Sequence, residues 1–307
     1  MKWIFTPSNF LLIIFSFLSV IVLSPILAIS LGLIYSLLYK NLSQEISRKV
    51  STIPLQIGIV LLGFTISTVT FIPIIDAYVI WVLFFIVFSF VLSIILGKAF
   101  GLDTKLSVLL ASGLSICGAT AIALIGPLIK ASSRFIFISL AILFSFNTLA
   151  IILFPMLGNL LNMSNYEFGV FSALAIHDTG SVVGSALAFS NPSVEVATSL
   201  KVLRTLGLIP LILLLSYKFN ANKNGFAFPK FIIYFFVAIS VANIFELSYS
   251  TIENLKMLSK TFIIFGIFCI GLQSSKIEYK ELSFKPLVLA LIVWLCVIPM
   301  AYFISIS

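Results

Sequence analysis

The 307-residue chain is 61% hydrophobic and 9% charged, with a mean hydropathy of +1.24. Ordinary soluble domains carry about a quarter charged residues, so a soluble enzyme or soluble binding domain is excluded. The formal charge of +8 reads as loop lysine and arginine that orient a membrane protein, and no nucleic-acid partner is expected. Apolar runs with short polar interruptions define an all-α polytopic membrane protein, with the lipid bilayer as its solvent.

The basic, apolar start over 1–28 resembles a secretory signal, but its end lies in a stretch that recurs later, so a retained first helix is expected. Apolar windows follow at 9–23, 25–39, 52–68, 77–97, 106–129, 134–154, 167–189, 195–216, 231–248, 258–274 and 285–305. Several fall short of the ~20 helical residues that a ~30 Å hydrocarbon core demands, which points to tilted or interrupted helices. About 9–11 transmembrane segments are expected. Cys117, Cys269 and Cys296 all lie within apolar windows and read as packing thiols.

Two stretches repeat. GIVLLGFTIS (58–67) and GIFCIGLQSS (266–275) share G-I-x-x-x-G-x-x-x-S at an offset of 208. Upstream of each, AISLGLI (28–34) matches AISVANI (238–244) at an offset of 210. An odd number of crossings separates the copies, so equivalent helices run in opposite directions, the inverted-topology repeat of secondary transporters. The chain is therefore read as one membrane transporter domain over 1–307. Its repeat-like halves are 9–105 and 195–307, and broken segments at 106–130 and 167–190 lie between them.

Loop charge tests the topology. With all eleven windows spanning, Lys and Arg divide 12 against 4 between the two sides; with windows five and seven re-entrant they divide 14 against 2. The larger asymmetry favours two broken or re-entrant segments and a cytoplasmic N-terminus.

Both interrupted windows carry polar chemistry. GLSICGAT (113–120) is rich in glycine and small hydroxyl residues; freed from the helical ladder, its N–H groups must line protein or water. At a half-helix N-terminus such groups attract anions, which makes Ser115, Cys117, Gly118 and Thr120 candidate substrate ligands. The second window reads ALAIHDTGSVVGSALA (173–188), where His177 is the only histidine of the chain. Thr179, Gly180 and Ser181 join the candidate ligands, and Asp178 and His177 suit proton or Na+ coupling, or a helix cap. Entering from opposite faces, the two windows would meet near the midplane. Window eight adds Lys201 and Arg204, three apart on one helical face and too deep for easy exit. An ammonium and a planar guanidinium at that depth suit an oxyanion clamp, or pairs with Asp178 or Glu195.

No phosphate loop, HExxH or CxxC motif is present, and one histidine without a second ligand argues against zinc. Neither enzymatic activity nor a cofactor is expected. LQIGIVLLGF (55–64), GLSICGATAIA (113–123), AIHDTGSVVG (175–184), ATSLKVLR (197–204), FPKF (228–231) and GIFCIGLQSS (266–275) together resemble the YeiH-like bacterial inner-membrane family, commonly labelled sulfate exporters. The resemblance spans nearly the whole chain. It implies a plasma-membrane secondary transporter with inverted repeats, moving sulfate or a related small anion. Its motifs fall on Ser115, Cys117, Gly118, His177, Asp178, Lys201 and Arg204. One departure stands out: where the family often has threonine between the lysine and arginine of K-L-T-R, this chain has Leu203. A cation/proton antiporter using Asp178, a non-transporting sensor or assembly subunit, and a homodimer are left open by the residues.

Overall fold

The computed structural model describes residues 7–39, 44–66, 68–219, 230–245, 247–274 and 284–307. Lys2, Lys40, Lys223, Lys276 and Lys280 of the charge tally, and Phe228 and Pro229 of the FPKF motif, lie outside the described residues. Every regular element among those described is an α-helix. In order these are α1 (Pro7–Val22), α2 (Pro25–Leu38), α3 (Gln44–Gly63), α4 (Thr68–Ala99), α5 (Thr104–Ser115), α6 (Ala119–Leu128) and α7 (Ser133–Leu160). There follow α8 (Asn165–Ala175), α9 (Thr179–Phe189), α10 (Ser193–Leu206), α11 (Leu208–Lys218), α12 (Lys230–Ile244), α13 (Tyr249–Ser274) and α14 (Phe284–Ile306). Helices α3, α4 and α13 start eight or nine residues ahead of the apolar windows. Their first turns hold Glu45 to Lys49, Pro73 and Asp76, or Glu253 and Lys256. Polar and proline residues mark the end of an apolar window, but the first turns of a helix tolerate both.

The two windows expected to break do so, and both return to the face they entered from. Asp103 caps α5 through a bond from Lys105 N, at 2.7 Å. At the far end of α6, Lys130 O accepts from Lys105 Nζ at 2.8 Å, and Leu109 of α5 lies against Gly126 of α6. Helices α5 and α6 are thus the arms of one re-entrant hairpin. A capping box between Ser164 and Glu167 opens α8, and Phe168 stacks on Phe189 at the end of α9 with ring centroids 4.0 Å apart. That contact closes the second hairpin. Helix α7 joins them by crossing the molecule: near its start Ile136 packs on Gly126, and near its end Gly158 faces Phe168 and Phe189. The hairpins therefore enter from opposite ends. At ~1.5 Å per residue α5 and α8 reach about 16–18 Å, roughly half a hydrocarbon core, so the tips lie near its middle.

Four stretches are long and apolar enough to cross a membrane alone: Phe71–Ala99, Arg134–Leu160, Ser193–Lys218 and Phe284–Ile306. The third is α10 running on into α11 through a single turn residue, Gly207. With the shorter apolar helices α1, α2, α3 and α12 and the long α13, nine crossings flank the two hairpins among the described residues. Lys98, Lys105, Lys130, Arg134, Lys218, Lys230 and Lys285 gather toward one end, where Lys285 Nζ donates to Phe100 O at 3.0 Å. Lys256 and Lys260 stand at the other, Lys260 reaching Asn191 Oδ1 at 3.4 Å. The described side chains keep the asymmetry that two re-entrant segments imply.

The inverted repeat is visible as a pair of matching contacts. Helices α3 and α13 pack antiparallel, with Gly58 against Ile263 and Gly266 against Leu55. Ile263 follows Leu55 by 208 residues, the same offset that relates Gly266 to Gly58, so the two contacts are copies of each other. Ser259 Oγ donates to Gly58 O at 2.7 Å across this crossing. Glycine at these positions lets the helix backbones come close, the main source of association where lipid supplies no hydrophobic drive. Leu55 also lies against Gly180 at the start of α9, which ties the centre of the repeat to the tip of the second hairpin.

Candidate substrate site at the hairpin tips

The first hairpin turns over residues 116–118. Gly118 has φ +55, a conformation that favours glycine, and a Cβ there would stand 3.2 Å from the Asp178 side chain. Both facts require glycine, and the second shows that the two tips touch. The second hairpin turns over 176–178, with His177 fully buried and Asp178 half-buried. Asp178 caps α9: its Oδ2 accepts from Ser181 N at 3.1 Å and from Ser181 Oγ at 3.3 Å. Helix α6 has no such carboxylate. Its N-cap is Gly118, and no side chain caps it. Ala119 and Thr120 at its start are half-buried, and the hydroxyls of Thr120 and Thr179 make no hydrogen bond among the described residues.

Half-helices that end in a membrane leave carbonyls that must find donors. Here those donors can be counted. Arg204 Nε donates to Ser115 O at 2.8 Å and Nη2 to Leu114 O at 2.9 Å, which caps α5. Its Nη1 serves α8, with bonds to Leu174 O at 2.6 Å, Ala173 O at 3.2 Å and Ile176 O at 3.3 Å. Lys201 Nζ donates to Ile176 O at 2.6 Å and Trp294 Nε1 to Ala175 O at 3.2 Å. The exposed C-terminal carbonyls of α8 are thereby matched by side chains of α10 and α14. The imidazole of His177 adds a bond from Nδ1 to Leu114 O at 2.9 Å, which fixes the proton on Nδ1. Above the guanidinium lies Phe85 of α4, 5.0 Å from Arg204 Cζ to the ring centroid.

One side chain therefore holds both hairpins. Arg204 and Lys201 are fully buried, and every bond they make among the described residues goes to a backbone carbonyl. Of the residues singled out from the sequence, Cys117, Gly118, His177, Asp178, Thr179, Gly180, Ser181, Lys201 and Arg204 converge on the tips. Ser115 contributes its carbonyl, while its hydroxyl turns to Ser112 O in its own helix, at 3.4 Å. Thr120 lies on the first turn of α6, facing partly open space. Trp294 and Phe85 escaped the sequence reading, because an aromatic residue in an apolar window carries no sign of its polar role.

Two opposed re-entrant hairpins, held by buried cations within an inverted repeat, define a multi-pass α-helical membrane protein. Comparison with known proteins places the chain more narrowly. The family described as Conserved hypothetical protein 698 matches residues 11–290, and the chain belongs to it, in keeping with the motif resemblance. Similar proteins include a UPF0324 membrane protein of Shewanella oneidensis, 37% identical over 69% of this chain and 67% of its own length. One from Fusobacterium nucleatum is 34% identical over 89% and 87% of the two chains, and one from Bacteroides thetaiotaomicron 30% identical over 89% and 84%. No solved structure matches the chain.

Proposed function

We propose that the protein is a secondary transporter of a small anion, sulfate or a related oxyanion or organic anion, bound where the hairpin tips meet. The observation that carries this reading is charge: two buried cations face the tips, and among the described residues Asp178 is the only carboxylate there. The cations cap the negative ends of α5 and α8, so the positive end of α6, which has no carboxylate cap, is left to face a ligand beside the Asp178-capped start of α9. Thr120 and Thr179 would supply hydroxyl donors and the first turn of α9 at Thr179 and Gly180 its N–H groups. Gly118, Ser181, Cys117 and Ser115 would shape the site behind them, Gly118 N–H being given to Gly113 O and the Ser181 donors to Asp178. Lys201 and Arg204 would act through their field and by holding the tips in place. Each hairpin reaches the site from its own face, so movement of one or the other would open it to one side at a time. Asp178 and His177 would couple this to H+ or Na+. The basic end is read as the cytoplasmic face of a bacterial plasma membrane, and the protein as a carrier without enzymatic turnover.

A cation/proton antiporter centred on Asp178 is favoured by one feature, the incomplete burial of that residue at the tip. Against it, the carboxylate already receives N–H and O–H donors from α9 and lies in the field of Lys201. Reconstitution separates the two readings. Proteoliposomes of the wild-type protein should take up oxyanion above protein-free vesicles. Asp178→Asn, which keeps a capping oxygen, should retain anion exchange while losing its dependence on H+ or Na+. Absence of anion flux in the wild type, or a cation flux abolished by Asp178→Asn, would sink the anion reading.

A further inference from the structure

Helix α7 buries an asparagine in the middle of the molecule. Asn147 is 1% exposed, and neither its Nδ2 nor its Oδ1 has a hydrogen-bond partner among the described residues. A buried amide without partners is costly, so such a group is seldom left unfilled without reason. Its depth follows from its neighbours. Leu143, one turn earlier on the same face, lies against Gly113 of α5. Ile151, one turn later, lies against Gly184 of α9. Advancing four residues from Gly113 reaches Cys117; going back four from Gly184 reaches Gly180. Both registers put Asn147 at the level of the touching tips, on the helix that packs against both hairpins.

A second orphan occurs at that level. His177 is fully buried and gives its Nδ1 proton to Leu114 O, so its Nε2 presents a bare lone pair with no partner. Leu114 is the neighbour of Gly113, the residue Leu143 touches. These two residues contribute two unfilled acceptors, His177 Nε2 and Asn147 Oδ1, and one unfilled donor, Asn147 Nδ2. The other buried groups without a partner among the described residues are single hydroxyls, of Ser89, Ser139, Ser185 and Thr198.

We infer that Asn147 and His177 form the neutral polar end of the anion site and that its ligand is a hydroxyl-bearing oxyanion, of which hydrogen phosphate and hydrogen carbonate are the simplest. This rests on the anion reading proposed above and narrows its substrate class. An O–H of the ligand donates to one of the two acceptors, His177 Nε2 or Asn147 Oδ1, an oxygen accepts from the Asn147 N–H, and the charged oxygens face the start of α6 and the field of Lys201 and Arg204. Sulfate and nitrate offer no proton near neutral pH and leave both acceptors unfilled. A site built to bond a hydroxyl rejects analogues that lack it more strongly than a site built on shape.

The test is anion binding to the purified full-length protein, by thermal shift and calorimetry, with phosphate, hydrogen carbonate, sulfate and nitrate. Wild-type protein should bind phosphate or hydrogen carbonate at least tenfold tighter than sulfate or nitrate. Asn147→Leu removes the orphan amide at similar volume. Its ligand-free melting temperature should be unchanged or higher, and its preference for hydroxyl-bearing anions should vanish. Asn147→Asp keeps an acceptor but adds negative charge, and should weaken every anion. Equal affinity of wild type for all four anions, or an undiminished preference in Asn147→Leu and Asn147→Asp, overturns the inference and leaves the anion reading standing. No binding of any anion to wild type overturns both.

Discussion

At the scale of single residues, Arg204 decides the arrangement of the site. Five bonds from one guanidinium end two helices that approach from opposite faces, a task that needs the forked donor geometry of arginine. Arg204→Lys can keep at most three of these donors. Orphaned carbonyls at about 1–3 kcal/mol each predict a fall of about 6–12 °C in the melting temperature of the detergent-solubilised protein. A change under ~2 °C would contradict the capping role. Lys201→Met should behave differently. Its acceptor, Ile176 O, still receives Arg204, and removing a desolvated ammonium relieves a penalty, so stability should hold within ~1 kcal/mol while anion affinity falls as the field weakens. Equal loss of stability in both variants would assign Lys201 to the scaffold alone. The sequence marks Lys201 and Arg204 as anomalies because charge within an apolar window is costly. It does not reveal their partners: Leu114 O and Ser115 O lie 90 and 89 residues away and are backbone atoms common to every residue type.

At the scale of elements, the hairpins were legible through charge and small residues. Lys130 and Arg134 belong with the basic majority only if the segment before them turns back, and Lys105 bonding to Lys130 O is that return in atomic form. Helix starts were less legible, because apolar windows cannot register the polar first turns of α3 and α13. The hairpin topology predicts side-specific labelling. In a variant with the exposed Cys296 replaced, Asp103→Cys and Ala131→Cys should react with an impermeant thiol reagent from one face of the membrane. Asn162→Cys and Asn191→Cys should react from the other. If residues 103 and 131 label from opposite faces, α5 and α6 cross the membrane and the site as described does not exist.

At the scale of the whole molecule, the repeat forms the frame against which the second hairpin packs. Gly58 against Ile263 and Gly266 against Leu55 bring α3 and α13 together at their common centre, and Leu55 passes that contact on to Gly180 at the tip. Gly58→Leu and Gly266→Leu should each destabilise the protein by a similar amount, about 1–3 kcal/mol as for other overpacked contacts, measured by thermal melting. Strongly unequal losses would deny the symmetry. The repeat was legible because close packing in lipid requires small residues, which leaves a glycine pattern in the sequence. Its link to the tip was not, since Leu55 looks like any other leucine. The central claim, that an anion lies where the tips meet, is tested most directly at Thr120, half-buried on the first turn of the helix with no carboxylate cap. Alkylation of Thr120→Cys by a small impermeant reagent should slow at least fivefold in the presence of the transported oxyanion, with gluconate without effect. A rate unchanged by every oxyanion tried would contradict the account.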